Sequence, residues 1–336
     1  MFCLPLSTRS TVLAAATLAA ALGATSAQAQ ASVTIFGLLD MSVGQSQAPG
    51  GASSKNVNSG NMTTSFIGFK GAEDLGGGMS AVFSIDHFLR ADTGAAGRFD
   101  ADAFWARNAY VGLTSGAGTL TLGRNTTSLF VNTLLFNAFG DSFGFSPAIR
   151  QTFTSGTNFQ VSGDTGWSDS AKYSSPKFGG LSLTAHAALG EGNGGRNLGL
   201  SALYVGGPFG AGFAWQKVEK GSGAFNPDTT SWQLGGSFSA APFKLYAQVG
   251  SIDNKTINNT TKVIGLGGEW AVVPLGKLLL QWGKTSPDAG ADRKTISAGY
   301  DYQISKRTDL YAVLMNDKLD GLKAGKSYAL GVRHRF

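Results

Sequence analysis

From Ser32 onward the chain repeats one theme: a stretch of about ten residues in which apolar and polar positions alternate, then a turn. The last stretch is the clearest. Tyr328, Leu330, Val332, His334 and Phe336 share one parity, and Ala329, Gly331, Arg333 and Arg335 share the other. Successive side chains of a strand point to opposite faces, so leucine and valine stand on one side and two arginines on the other. Phe243, Leu245, Ala247 and Val249 alternate with Lys244, Tyr246 and Gln248 in the same way. Ile296, Ala298, Tyr300, Tyr302 and Ile304 alternate with Thr295, Ser297, Gly299, Asp301 and Gln303. Such a strand separates lipid from water. From 309 to 315 both faces carry apolar residues, as expected where the wall packs on a neighbouring subunit instead of lipid.

The turns come in two kinds. Short Gly- and Pro-rich ones fall at 73–78, 115–118, 176–180, 206–210, 240–243, 273–277 and 305–308. Longer polar stretches lie between them, such as 44–61, 91–102, 221–230, 254–260, 286–293 and 317–326. Alternating short and long connections fit a bacterial barrel with tight turns at one end and long loops at the other. Seven short turns make seven strand pairs, and the unpaired first and last strands bring the total to sixteen. The pattern therefore predicts an all-β, 16-stranded antiparallel transmembrane β-barrel. A barrel that wide holds a water channel, because side chains cannot fill it.

Composition sharpens this. The chain has 48 Gly and 22 Phe, 11% aromatic residues and only 14% charged ones. Nothing after Ala24 approaches the length of apolar run that a spanning helix needs. Closed barrels are the only non-helical way to satisfy every backbone group in lipid. The first 29 residues read as a cleaved signal peptide, with Arg9, an apolar run from Thr11 to Ala24 and a small-x-small site at Ala27-Gln28-Ala29. Removing them leaves 336 − 29 = 307 residues, a net charge of 26 − 21 = +5 and no cysteine. Disulfides and thiolate metal sites are thereby excluded from residues 30–336. Lys and Arg are scattered without a basic stripe, which argues against nucleic acid as a partner. His87, His186 and His334 lack metal-ligand spacing and no phosphate-cradling Gly-Lys-Ser/Thr motif exists, so neither an enzyme nor a cofactor is expected.

Several segments taken together carry a family resemblance. They are Ser32-Val33-Thr34-Ile35-Phe36-Gly37-Leu38-Leu39-Asp40, the hairpin Gly68-Phe69-Lys70-Gly71-Ala72-Glu73-Asp74-Leu75-Gly76-Gly77-Gly78, and Arg107-Asn108-Ala109-Tyr110-Val111-Gly112-Leu113 followed by Gly118-Thr119-Leu120-Thr121-Leu122-Gly123-Arg124. Tyr173-Ser174-Ser175-Pro176-Lys177-Phe178-Gly179-Gly180 and the terminal Phe336 complete the set. The chain resembles the Gram-negative general porins of betaproteobacteria from residue 30 to its end. The resemblance implies a homotrimer of sixteen-stranded barrels in the outer membrane, in contact with lipid and lipopolysaccharide. It implies passive diffusion of small hydrophilic solutes and ions, with a third loop folded into the lumen. It also implies that Phe336 is read by the outer-membrane insertion machinery. Two departures stand out: Phe66 occupies a position where the family usually has Arg, and Asp141 is the only carboxylate between Arg124 and Asp164.

The stretch 125–169 is the longest connection and the natural constriction loop. It carries Phe130, Phe136, Phe139, Phe143, Phe145, Phe153 and Phe159, which would be an apolar liability in solvent and are expected to pack inside the barrel. Porin selectivity comes from pore size and from charge at the narrowest point. Lys70, Arg107 and Arg124 on the wall, with Asp141 and Arg150 on the loop, are the candidate constriction residues, and they point to a preference for anions. Arg124 could instead anchor the root of the loop. The aromatic loop keeps a second reading open, a substrate-selective facilitator with an aromatic-lined constriction. Tyr300, Tyr302, Tyr328, Trp232, Trp270 and Trp282 are candidates for the aromatic girdle.

Overall fold

The computed structural model describes residues 32–154, 164–192, 194–219 and 227–336. The signal-peptide reading and Phe159 therefore lie outside the described residues. Among the described residues the strands are β1 (Ser32–Ser46), β2 (Ser54–Ser59), β3 (Phe66–Gly76), β4 (Met79–Arg90), β5 (Ala95–Ala96), β6 (Asn108–Ser115), β7 (Gly118–Thr126), β8 (Gly166–Ser174) and β9 (Leu181–Ala188). They continue as β10 (Asn197–Gly206), β11 (Phe209–Val218), β12 (Thr229–Ala240), β13 (Phe243–Asn254), β14 (Asn259–Val273), β15 (Gly276–Pro287), β16 (Arg293–Gln303), β17 (Thr308–Leu319) and β18 (Gly325–Arg335).

Two of these are not wall strands. β2 folds back on the upper half of β1, from Met41↔Ser59 to Ser46↔Ser54, and β5 caps the end of β4. The other sixteen pair antiparallel with their neighbours around the wall. β1 closes the ring by pairing with β3 on one edge and with β18 on the other, from Leu38↔Arg335 to Gln45↔Tyr328. Closure leaves the sixteen wall strands without a free edge, which is what a lipid environment requires. The seven tight connections fall where the turn signals predict them. In the β3–β4 turn Gly76, Gly77 and Gly78 all have positive φ (78°, 60° and 78°), a run that only glycine adopts without strain.

The two faces of the wall invert the arrangement of a soluble protein. On β12 the outward Trp232, Leu234 and Phe238 are 39%, 49% and 40% exposed, while the alternate Ser231 and Gln233 are 1% and 2% exposed. The same inversion runs through β15, where Leu278 and Leu280 are exposed and Gln281 and Thr285 are buried. Tyr302, Tyr328, Trp232 and Trp270 are exposed on the apolar face. Tyr300 stacks on Tyr302 at 6.3 Å, and Phe243 stacks on Trp270 at 5.7 Å, beside the short turns.

The largest surprise relative to the sequence lies in the connection between β7 and β8. It contains α1 (Ser128–Leu135), α2 (Pro147–Ile149) and a π-helical turn (Arg150–Thr154), none of which alternation could signal. The inner row of the doubly apolar stretch at 309–315 has a cause within the chain. Leu310 and Leu314 face outward and are exposed. Their alternates Tyr311, Val313 and Met315 pack with Met62, Ala138, Phe139 and Phe145 of the loops in one buried cluster. The inner row is apolar because the chain's own loop covers it.

Candidate pore constriction

Local chemistry starts the helical part of the loop. Thr127 has extended backbone and its hydroxyl accepts from the Phe130 amide at 3.4 Å, capping α1. Ser146 caps α2 by accepting from the Ile149 amide, with Pro147 at the first helical position where its missing N–H costs nothing. The Thr127-Ser128 pair before an apolar run was the one signal in the sequence that could have announced α1.

The loop then grips the polar face of the wall. Asn132 Nδ2 and the Thr133 hydroxyl donate to Gln233 Oε1 at 2.8 and 3.1 Å. Gln248 Nε2 donates to the Thr133 carbonyl at 2.7 Å, and Gln281 Oε1 accepts from the Ala138 amide at 2.9 Å. Gln151 Nε2 donates to the Thr295 hydroxyl at 3.0 Å. Between these bonds the wall opens sockets for rings. A Cβ added at Gly212 or Gly235 would collide with the ring of Phe136, so glycine at both positions makes room for it. Phe136, Phe139, Phe145 and Phe153 are all buried, and Phe130 stacks on Phe143 at 6.0 Å. Among the described residues, the loop's aromatic rings are turned mainly into the wall and into each other.

A second segment holds the tip. Asn61 accepts through its carbonyl from the Ser142 hydroxyl at 2.7 Å and from the Gly144 amide at 3.1 Å. The same segment is pinned to the wall by Asp40 on β1. Its carboxylate accepts from the Met62 and Thr63 amides at 2.6 and 2.8 Å and from the Tyr311 hydroxyl at 2.6 Å. Asp40 is fully buried, and sequence reasoning did not single it out.

The five charged candidates are placed at different stations. Lys70 stands opposite Ser84 on the polar face, exposed, with its Nζ 4.7 Å over the Phe36 ring. Arg107 is on the same side of the wall, bound to Asp86 at 2.8 Å and lying 4.0 Å over the Phe66 ring. The departure at Phe66 thus supplies a face for a neighbouring arginine. Arg124 is at the root of the loop, donating to the Ala106 carbonyl, to Ser168 and to Asp164. Asp141 accepts from Thr63 at 3.1 Å. Burial pushes its carboxyl up from the usual range, against that hydrogen bond and the fields of Arg107 and Arg333. Arg150 donates to the Phe143 and Gly144 carbonyls and approaches Asp317, at the long-loop end of β17, at 3.6 Å. Phe336 ends the last strand on the outward face, with its backbone bonded in both directions to Gly37 at 3.1 Å.

Two charge arrays were not read from the sequence. One is a clamp between loops. Arg98 binds Asp102 and Asp164 together, and Asp164 also takes Arg124 at 2.6 Å. Burial alone would raise the Asp164 carboxyl, but its two arginines hold it down at about 2. The other is a belt across the polar face near the short turns. Glu269 binds Lys277 at 2.8 Å, Arg333 binds Asp301 and Asp309 at 2.7 and 2.6 Å, and Arg335 adds a second bond to Asp309. Parity puts Arg333 and Arg335 on the water side. Only register says which carboxylates stand beside them.

The comparisons with known proteins agree with this geometry. A family model described as Gram-negative porin matches residues 14–322. The chain is 31% identical to the outer membrane porin protein 32 of Delftia acidovorans, over 91% of both chains. It is 26% identical to an outer membrane porin protein of Bordetella pertussis, over 98% of this chain and all of that one. Among solved structures it superposes on the anion-selective porin from Comamonas acidovorans with a TM-score of 0.78 and 25% identity, covering 91% of this chain and 100% of that one. The trimer form of OmpT from Vibrio cholerae, at 14% identity and a TM-score of 0.68, shares the fold over 91% of this chain and 99% of its own. With a closed sixteen-stranded wall, an apolar outer face and a polar inner one, the chain belongs to the Gram-negative porin family and is a channel protein of the outer membrane.

Proposed function

We propose that the channel conducts small hydrophilic solutes and prefers anions, with the loop 125–169 narrowing the lumen. One observation carries the preference: the carboxylates described on the polar face are each held by an ion pair or by hydrogen-bond donors, while several of its cations have no ion pair with a described residue. Asp86 is held by Arg107, Asn108 and Ser84, and Asp317 by Arg293 and Thr295. Glu269, Asp301 and Asp309 have the partners described above. Lys70, Lys244 and Lys306 make no ion pair with a described residue. An anion moving along this wall meets uncompensated positive charge, and a cation meets carboxylates already occupied. The similarity to the Comamonas protein, an anion-selective porin, supports the same reading.

In this reading residues 1–29 are a cleaved export signal, three copies assemble in the membrane, and Phe336 serves the insertion machinery. The trimer form of the Vibrio neighbour supports the assembly. The reading requires no cofactor and no catalysis. The test is single-channel recording in planar bilayers with a reversal potential across a KCl gradient. Stepwise openings in threes with a chloride-favouring potential are expected. A potassium-favouring potential would leave the channel intact and remove the charge assignment.

A further inference from the structure

Below the loop, toward the short turns, the polar face encloses a cavity of about 640 Å³. Five cations line it, Lys244, Lys277, Lys306, Arg333 and Arg335, against four carboxylates, Asp141, Glu269, Asp301 and Asp309, so the formal balance is 5 − 4 = +1. The pairing is uneven in a way that matters. Arg333 is buried between Asp301 and Asp309, and its charge is satisfied within the wall. The four remaining cations come from two parts of the cavity wall, Lys244 and Lys277 from β13 and β15, Lys306 and Arg335 from the β16–β17 turn and the end of β18. Lys244 stands directly opposite Glu269 on the paired strands β13 and β14, and Lys277 binds Glu269 from β15. Glu269 is further occupied by the Tyr246 hydroxyl, so the one carboxylate beside these two lysines is already taken up by Lys277 and Tyr246. Lys306 in the β16–β17 turn is exposed, and Arg335 binds Asp309 while its side chain stays 44% exposed. Asp309 is already shared with Arg333. The exposed charge around the cavity is therefore positive. The cavity is also far larger than a chloride ion needs, and Tyr246, Val273, Leu275 and Leu279 give it apolar surface.

We propose that this cavity is a second anion station, distinct from the constriction candidates Lys70 and Arg107, which holds small organic polyanions entering or leaving at the short-turn end. Lys244 with Lys277 takes one anionic group, Lys306 with Arg335 takes another, and the apolar floor accommodates the carbon frame between them. A small inorganic anion can use only one of the two groups and passes through. A compound with two or more carboxylates engages both and pauses. The site rests on the channel reading above but not on its chloride preference.

Citrate is a suitable probe and acetate its monoanionic control, each added to one side of a bilayer holding the refolded full-length barrel in KCl. Citrate on the short-turn side is expected to produce resolved interruptions of the open current at concentrations about tenfold below those effective from the loop side. Acetate is expected to produce none at either side. Lys244→Gln with Lys306→Gln, both side chains at the cavity surface, should raise the concentration needed by about tenfold, whereas Lys70→Gln, outside the cavity lining, should leave it unchanged. Unaltered citrate interruptions in that double variant, or equal effects from both sides, would overturn the station. The reversal potential in the same channels reports separately on chloride preference. A potassium-favouring potential with lysine-dependent interruptions would remove the selectivity reading and leave the station standing.

Discussion

The inner wall of this barrel divides into two halves with opposite chemistry on the same strands. Toward the long loops, the inward positions of β12 to β17 include Gln233, Gln248, Ile252, Val263, Gln281 and Val313, buried under the loop between β7 and β8. Toward the short turns, the same parity of the same strands carries Lys244, Glu269, Lys277, Asp301 and Asp309 around an open cavity. Alternation alone treats these halves as equivalent, since each is simply the side away from lipid. They differ because the upper half is covered by protein and the lower by water. Under a cover a wall needs apolar surface, glycine sockets and amides that satisfy loop backbone. Beside water it can carry charge, provided buried members of the array are paired.

The sharpest way to break the comparison is to remove a cation from the lower belt. Arg333→Met leaves Asp301 and Asp309 deprived of their buried partner and is expected to cost about 3–5 kcal/mol in urea unfolding of the refolded barrel. A neutral result would mean that the lower wall is wet throughout and its pairs are worth no more than surface ones.

In the upper half the matching change fills a socket. Gly235→Leu drives a side chain into the ring of Phe136 and should cost about 1–3 kcal/mol. Because the ring anchors α1, single-channel conductance is expected to rise as the loop shifts. Unchanged conductance with lowered stability would show that the socket stabilises the fold without setting the aperture.

The clamp at the loop root has a pH signature. Asp164 is held down at about 2, so its contribution is complete above the ordinary carboxylate range and fades as pH falls from 3.8 toward about 2. Asp164→Asn should lower stability by about 1 kcal/mol or less, because its side chain is 36% exposed and solvent screens the pairs. Hydrogen exchange at 98–102 and 164–166 should quicken on acidification in the wild type and be fast already in the variant. The smallest expected effect on stability is that of Lys70→Gln, within about 0.5 kcal/mol. It should still move the reversal potential toward potassium. No movement would take Lys70 out of the ion path.

Much of this was legible because a strand has a period of two and a membrane imposes one apolar face on it. Tyr328, Leu330 and Val332 against Ala329 and Arg333 state the strand, its faces and its direction to lipid within a few residues. The turn signals count the strands for the same reason, since tight turns need residues such as Gly76 to Gly78. The packing of the loop on the wall was harder. Asp40 reads as one polar residue in an alternating strand, and nothing local marks it as the acceptor for Met62 and Thr63. Asp164 reads as loop polarity, although it joins two arginines that lie 66 and 40 residues before it.

Sequence by itself determined the class of the molecule, its strand count, the parity of its wall and the position of its longest loop. These follow from local alternation and turn chemistry, which are short-range properties of the chain. Only the tertiary structure decided which inward positions are covered and which are wet. It also decided that the apolar row at 311, 313 and 315 serves a loop, and which carboxylate meets which cation. Those outcomes depend on strand register and on a loop folding back across the wall, and both are long-range relations that no local window of residues contains.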